Sequence, residues 1–454
     1  MSHELEDGTA KGITIGGHDI ALRRSAGKTY AVSDRCIHRG VKLSAKPMCL
    51  SEGTITCWYH GFTYGLDDGS LTTIVGNPND SLIGKAGIRT YPVEEVNGII
   101  YVFVGDQDYG TPPPPLESDL PMRVANDPNN SPVPHLLDDG IVIRGIHRKL
   151  VGNWRLAAEN GLDPGHLLVH WDNQILVALD RALPLGVNAL TDTATEEIDI
   201  ENGPKGVMNR YDRPDLYEPV LANPPKVNMK ARGTVPHYFR TSLWVPGVLM
   251  VEHWPITDHV QYEFYVPIDD HHHEYWEVIV TRASTDDEIA EFNFKYDNFM
   301  LPLALEGFNN SDVFAREATE EHYTRFDGWN NEVLCDMDYS IIAWRKMAAR
   351  HPRGFFESPL RGRGLTDVAF SDRNPARHLS RYRPLRTPEL RRRHEGNRGP
   401  YGLHRPRGSG DRGGARLVNQ CRIGTCGTCV GRVRTGELAM AEGARLPTAL
   451  RRDR

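Results

Sequence analysis

Apolar and polar positions in the first hundred residues alternate in short runs that suit strands. Residues 19–23 (Asp-Ile-Ala-Leu-Arg) form one β-prone run, and residues 29–32 (Thr-Tyr-Ala-Val) return after the turn at Ser25-Ala26-Gly27-Lys28. A third run, residues 98–104 (Gly-Ile-Ile-Tyr-Val-Phe-Val), ends at Gly105-Asp106. This pattern predicts a small all-β unit closing near residue 105. Thr111-Pro112-Pro113-Pro114-Pro115 then makes a stiff linker. Beyond it the pattern becomes mixed. Residues 141–144 (Ile-Val-Ile-Arg) read as a strand, and residues 153–158 (Asn-Trp-Arg-Leu-Ala-Ala) open a helix. Pro164 ends or kinks that helix, which places a turn around 161–165. Apolar periodicity fades after about residue 353.

Composition changes this picture in two ways. The net charge of −7 conceals two unlike regions. Residues 351–454 carry 23 Arg against 9 Asp and Glu, whereas residues 1–350 carry 30 basic against 51 acidic groups. An acidic body argues against a nucleic-acid partner. In the tail, high charge with little to bury predicts an Arg-rich disordered linker over 353–415. The chain also lacks an apolar run of about 18 residues and an N-terminal signal pattern, so a soluble, cytoplasmic protein without membrane contact is expected. Its seven cysteines are unevenly clustered, which in a reducing compartment suggests metal ligands over disulfides.

Four such ligands stand in the β-rich region. Cys36-Ile37-His38-Arg39-Gly40 and Cys57-Trp58-Tyr59-His60-Gly61 each offer one thiolate and one imidazole. A tetrahedral zinc site is one reading, but zinc fingers usually group cysteines in one pair and histidines in the other. Mixed pairs suit a [2Fe–2S] centre with one iron on cysteines and the other on histidines. Each motif ends in glycine, which permits a tight turn. Cys49 matches neither motif and is expected to be a free buried thiol.

The second constellation is Asn160-x-x-Asp163-x-x-His166-x-x-x-His170. On a helix, residues four apart share a face, so His166 and His170 would offer half of a metal site. A third ligand must come from further along. Residues 303–317 contain three acidic candidates, Glu306, Asp312 and Glu317, and spacing alone does not choose among them. Phe308 lies one helical turn before Asp312, either facing a substrate or packing in the core. The His271-His272-His273 run follows Asp269-Asp270 and reads as a solvated turn.

Together the Cys/His loops and the Asn/Asp/His/His motif resemble the Rieske non-heme iron ring-hydroxylating oxygenases. The resemblance covers roughly residues 10–350 and is nearest to the carbazole 1,9a-dioxygenase subgroup. It implies an α+β fold: an N-terminal all-β Rieske domain (1–108) and a helix-grip, START-like catalytic domain (109–352), assembled as a head-to-tail homotrimer. Cys36 and Cys57 would bind one iron of the Rieske [2Fe–2S] cluster, and His38 and His60 the other. His166, His170 and Asp312 would hold a mononuclear Fe(II). Asp163, with Asn160 nearby, would link the Rieske centre of one subunit to the iron of its neighbour. The implied partners are a ferredoxin, an NAD(P)H-dependent reductase, dioxygen and an aromatic, carbazole-like substrate that is dihydroxylated. Two alternatives remain: a Rieske monooxygenase or demethylase, and a non-catalytic electron carrier.

Near the C-terminus, Cys421, Cys426 and Cys429 have the Cys-x4-Cys-x2-Cys spacing of a plant-type ferredoxin loop. That family needs a fourth downstream cysteine, and none follows. Residues 416–454 therefore resemble an incomplete ferredoxin, with a second [2Fe–2S] cluster as one reading and a remnant as the other.

Overall fold

The computed structural model describes residues 1–105, 112–123, 133–184, 195–211 and 233–350. The Arg-rich segment and the cysteines at 421, 426 and 429 lie outside the described residues.

The expected hairpin forms with longer arms. Strands β1 (Ala10–Ile15), β2 (His18–Ser25) and β3 (Lys28–Ser33) pair antiparallel, with Ala26 and Gly27 both at positive φ in the turn. A second sheet carries the metal-ligand loops. Its strands are β4 (Thr54–Thr56), β5 (Phe62–Gly65) and β6 (Leu71–Ile74). Strand β7 (Thr90–Tyr91) completes the first sheet. β8 (Val93–Val96) and β9 (Ile99–Val102) close the unit as a hairpin over Asn97-Gly98. Both turn residues have positive φ, which is why this Asn-Gly pair suits a tight hairpin. Ala21, Val32, Leu43, Ile55, Tyr64 and Leu71 form a core that also takes in the Cys36 and Cys57 side chains. The two thiols are thus anchored by packing before any metal is considered.

The second unit is built on one wholly antiparallel sheet. Its edge strand, expected over 141–144, runs much further as β10 (Ile141–Val151). Two short strands, β11 (Arg181–Ala182) and β14 (Val235–Pro236), pair with each other elsewhere. The main sheet also contains β12 (Thr195–Asp199), β13 (Lys205–Arg210), β15 (Arg240–Trp244), β16 (Val248–Glu252), β17 (Val260–Pro267) and β18 (His272–Arg282). The order is β10-β18-β17-β16-β15-β13-β12. One face packs Val248, Met250, Tyr262, Val278 and Val280 against Leu120 and Leu136. The other faces helices, so the central strands β15, β16 and β17 are largely buried on both sides.

Helix α1 (Trp154–Leu162) starts at Asn153, whose side chain accepts a hydrogen bond from the Arg155 amide. It buries Trp154, Ala157, Ala158 and Leu162 against Leu243, Leu249 and Tyr265 of the sheet. A helical run then crosses the same face. It comprises α2 (Gln174–Ala178), α3 (Asp286–Lys295) with a Thr285/Glu288 capping box, a π-helical turn series (Tyr296–Phe308) and α4 (Asn309–Arg325). Pro302 sits inside the π segment. Proline cannot donate the regular helical bond, and such widened turns are common at functional sites. Helix α5 (Tyr339–Arg350) packs Trp344 and Met347 beside α1. This is the expected sheet gripping a long helix.

Two expectations need correction. Cys49 is exposed, with its thiol donating to the Ser51 carbonyl at 3.0 Å. It lies in an exposed loop beside an equally exposed Leu50, away from the core. The histidine run is also not simply a solvated turn: β18 begins at His272, and the alternation of the strand buries His273 against the Gly152 carbonyl at 2.9 Å.

Candidate active site

The two Cys/His loops converge. Loop 36–41 is closed by the Cys36 amide on the Val41 carbonyl and the Gly40 amide on the Cys36 carbonyl. Loop 57–61 repeats this with the Cys57 amide on Phe62 and the Gly61 amide on Cys57. Gly40 and Gly61 both have positive φ, and a Cβ on Gly61 would lie 2.6 Å from that of Val75. His38 and His60 bring their Nδ1 atoms to 3.1 Å on the exposed rim, while Cys36 and Cys57 lie beneath at 2 % and 1 % exposure. Bonds of about 2.1 Å place neighbouring nitrogen donors about 3 Å apart, so the imidazole pair suits one iron. The Tyr64 hydroxyl lies 3.2 Å from Cys36 Sγ, giving that sulfur a hydrogen-bond partner.

The second site is assembled from α1, the turn after it, and α4. Helix α1 ends at Leu162, and Asp163 is the turning residue, its carboxylate accepting from the Gly165 amide at 2.7 Å. Pro164 then starts a helical segment, Pro164–His170, that is wound as a 3₁₀ helix. A proline at the first helical position and an Asp before it favour this new start. The tighter winding turns the two histidine rings nearly perpendicular, with centroids 5.3 Å apart. His166 Nδ1 is held by the Asp163 carbonyl oxygen. That bond leaves Nε2 to point inward.

Both Nε2 atoms face Asp312 Oδ1, at 3.1 Å from His170 and 3.7 Å from His166. These three side chains bring their donor atoms within 4.8 Å of one another, close enough to share one metal ion. Glu306 and Glu317 are exposed and take no part. Burial alone would raise the Asp312 carboxyl, but His170, His166 and Arg316 outweigh it and hold the group well below the usual carboxylate range. Burial holds His170 below the usual histidine range, with Asp312 opposing it. The pair at rest is therefore a carboxylate and a neutral imidazole, the protonation states a divalent iron needs. Two imidazoles and one carboxylate on one side leave the opposite side open, as a facial triad does. The donor set fits Fe(II).

Phe308, expected either to face a substrate or to pack in the core, stacks on the His170 ring at 3.6 Å, and Trp254, which the sequence reading passed over, meets Phe308 at 4.6 Å. Trp254 packs with Phe292, Tyr296, Met300 and Leu305 in one buried hydrophobic cluster, against which Phe308 rests. On the other side lies a buried polar group from β17, β18 and α4. Arg316 sits 3.5 Å from Glu263, and the Tyr265 and Tyr275 hydroxyls both donate to the same Glu263 oxygen. Glu277, directly across the strands from Glu263, has both carboxyl oxygens buried without a hydrogen bond. Burial first, then the Glu263 charge, pushes its carboxyl well above the usual range. Arg316 was within reach of sequence reasoning, since it stands four residues after Asp312 on one helix. The strand residues were not, because charged positions on a buried face contradict the ordinary reading.

Asp163 is half-buried, and burial, with help from Asp338, raises its carboxyl against the pull of His166 and the Gly165 amide. Around it the surface is apolar: Leu168, Val169, Met337 and Tyr339 are all exposed. The rim of the Cys/His site is similar, with Ile37, Trp58, Tyr59 and Val75 exposed. Two such surfaces on one chain suit contacts with other protein.

This arrangement defines a Rieske-type ring-hydroxylating oxygenase. Residues 1–92 match the Rieske [2Fe–2S] domain and residues 103–356 match the homotrimeric ring hydroxylase family, so the chain belongs to that family. Relatives include the terminal oxygenase components of carbazole 1,9a-dioxygenase from Metapseudomonas resinovorans and from a Sphingomonas species. The first is 37% identical across 78% of this chain and 89% of that protein, and the second 38% identical across 79% and 91%. Among solved structures, a 2-oxoquinoline 8-monooxygenase component is 44% identical with a TM-score of 0.74, covering 87% of this chain and 90% of that one. An oxygenase–ferredoxin complex of carbazole 1,9a-dioxygenase is 36% identical with a TM-score of 0.67, covering 78% and 87%. As in the rest of the family, a Rieske cluster and a mononuclear iron are the cofactors. No helix among the described residues is long and apolar enough to cross a membrane.

Proposed function

We propose that this chain is the terminal oxygenase of a multicomponent system that dihydroxylates a polycyclic or heterocyclic aromatic substrate. The observation that carries the reading is the buried His166, His170 and Asp312 group beside the Phe308/Trp254 wall. In it, residues 1–108 form the electron-receiving domain and 109–352 the catalytic domain. Cys36, Cys57, His38 and His60 hold the Rieske cluster, and His166, His170 and Asp312 hold Fe(II). Iron bound there supplies dioxygen activation, using electrons delivered by the cluster. The chain's own side chains do the rest. The aromatic wall binds a flat apolar ring and excludes water from it. The Asp163 carbonyl keeps His166 in the tautomer whose Nε2 is free to ligate. Asp163 stands at the apolar surface where the neighbouring subunit's His60 would approach, which makes it the bridge for the electron.

A ferredoxin fed by an NAD(P)H-dependent reductase is the electron source, and the cytoplasm, where such a reductase works, is the location. A carbazole-type oxygenase is crystallised with its ferredoxin, and this chain offers a comparable exposed Rieske rim. Mass spectrometry of products formed under ¹⁸O₂, from a panel of polycyclic and nitrogen-heterocyclic aromatics, tests the reading. Two labelled atoms in a diol are expected. The likeness to a monooxygenase component at 44% identity favours a second reading, in which one labelled atom enters. Reduction of the Rieske centre with no label in any product would mean that the chain only carries electrons.

A further inference from the structure

We propose that Arg316 is a positioning residue for the mononuclear iron: it fixes which way the Asn160 amide points, and through it the carboxylate of Asp312. The inference rests on the iron-site reading above and adds to it the residues that orient the acidic ligand.

The chain of contacts is short. Arg316 Nε donates to Asn160 Oδ1 at 2.7 Å. Asn160 Nδ2 donates to Asp312 Oδ1 at 3.4 Å, the oxygen that both imidazoles also face. A guanidinium has donors and no acceptor. Asn160 must therefore turn its oxygen to Arg316 and its NH₂ to Asp312. With the amide fixed in that sense, Asn160 cannot offer its oxygen to a metal; it can only steady the carboxylate that does. Otherwise the two ends of an amide are nearly interchangeable in shape, and either could face the triad.

Arg316 is itself over-determined. Its Nη2 donates to the Tyr265 hydroxyl at 3.2 Å, the guanidinium lies 3.5 Å from Glu263, and it sits 5.3 Å and 5.2 Å from the Tyr265 and Tyr275 ring centres. Arg316, Tyr265 and Glu263 are at most 4 % exposed. Their fixed positions come from β17 and α4, whereas Asn160 is only half-buried on α1. The fully buried members lie behind the half-buried amide, which is the order a positioning device requires. A lysine at 316 could keep the charge opposite Glu263, but it could not reach Asn160 and Tyr265 together in one plane.

The test uses the full chain with its Rieske cluster intact and its mononuclear iron removed, titrated anaerobically with Fe(II). Outer partners of metal ligands typically change affinity by about 10- to 100-fold. Arg316→Lys and Asn160→Ala are each expected to raise the Fe(II) dissociation constant by roughly tenfold, and the double variant by no more than the larger single effect, because both act on one path. The electron paramagnetic resonance spectrum of the Fe(II)–nitric oxide adduct should change in both variants, while the absorbance of the reduced and oxidised Rieske cluster stays as in the parent. A purely structural role for Arg316 would lower the melting temperature and leave both the affinity and the nitrosyl spectrum unchanged; that result overturns the proposal. So does an additive double variant. Where Arg316→Lys does not fold, Tyr265→Phe, which frees Nη2, must weaken Fe(II) in the same direction, and an unchanged constant overturns the proposal. Failure of the parent chain to bind one Fe(II) at this site would instead overturn the iron-site reading itself.

Discussion

The two proposed metal-ligand groups of this chain are built in opposite ways. In the Cys/His loops the sulfur ligands are buried and the imidazoles are exposed, with His38 and His60 on a rim of Trp58, Tyr59 and Val75. In the His/His/Asp group, His170 and Asp312 are almost wholly buried, under Phe308 and against a hidden Arg316. The difference follows from what each must exchange. An electron can cross a thin protein contact, so its centre belongs at an edge that another chain can touch. Dioxygen chemistry on an aromatic ring needs a dry, shaped surrounding. Behind the triad lie the buried Glu263 and Glu277 carboxyls, with the Arg316 guanidinium 3.5 Å from Glu263.

The contrast can be broken first at the buried site. Asp312→Ala should remove the mononuclear iron and abolish turnover, a loss of at least about 10³-fold on the scale of other ligand and catalytic-group deletions. Iron analysis should fall by one atom per chain while acid-labile sulfide is unchanged. A parallel loss of sulfide would mean that the two centres are not independent.

A pH experiment sharpens the same contrast. Burial, the largest cause in each case, lowers His237 to about 3 and His273 to about 4, both below the ordinary histidine value. The unfolded chain then binds more protons than the folded one between pH 6.5 and about 4, so stability must fall as pH drops through that window. Each histidine contributes roughly 1.4 kcal/mol per pH unit there. Urea unfolding monitored at pH 7 and pH 5 should show it. His273→Gln should make the curve for the catalytic domain flatter, and an unchanged slope would contradict the assignment.

Smaller in effect is Gly61→Ala. Its backbone has φ near +73°, and the added Cβ would press on Val75. A cost of about 1–3 kcal/mol is expected, confined to the Rieske domain. Cluster absorbance should melt at a lower temperature while Fe(II) binding at the other site is kept.

The exposed site was the more legible of the two in the sequence. Both its ligand pairs are contiguous motifs ending in a glycine, so local spacing carries the information. Half of the buried site was legible in the same way, through His166 and His170. Asp312 was not separable from Glu306 and Glu317 by spacing, because burial and the approach of α4 to α1 decide it. Glu263, Tyr265, Tyr275 and Glu277 were invisible for a related reason: only the pairing of β17 with β18 brings these strand positions together beneath one helix. The 3₁₀ turn at Pro164 was signalled by the proline, though not its exact winding. Cys49 and His273 went wrong because exposure of a loop and the first residues of a strand depend on neighbours far along the chain.

Single turnover of the reduced, iron-loaded enzyme tests the central claim most directly. Aromatic substrate and ¹⁸O₂ are added, and cluster oxidation and labelled product are followed together, in the parent and in Asp163→Asn. Cluster oxidation should keep pace with labelled product in the parent. In the variant both metals should remain bound, the cluster should stay reduced, and product should be absent. An Asp163→Asn enzyme that oxidises its cluster and forms labelled product at the parent rate would contradict the account.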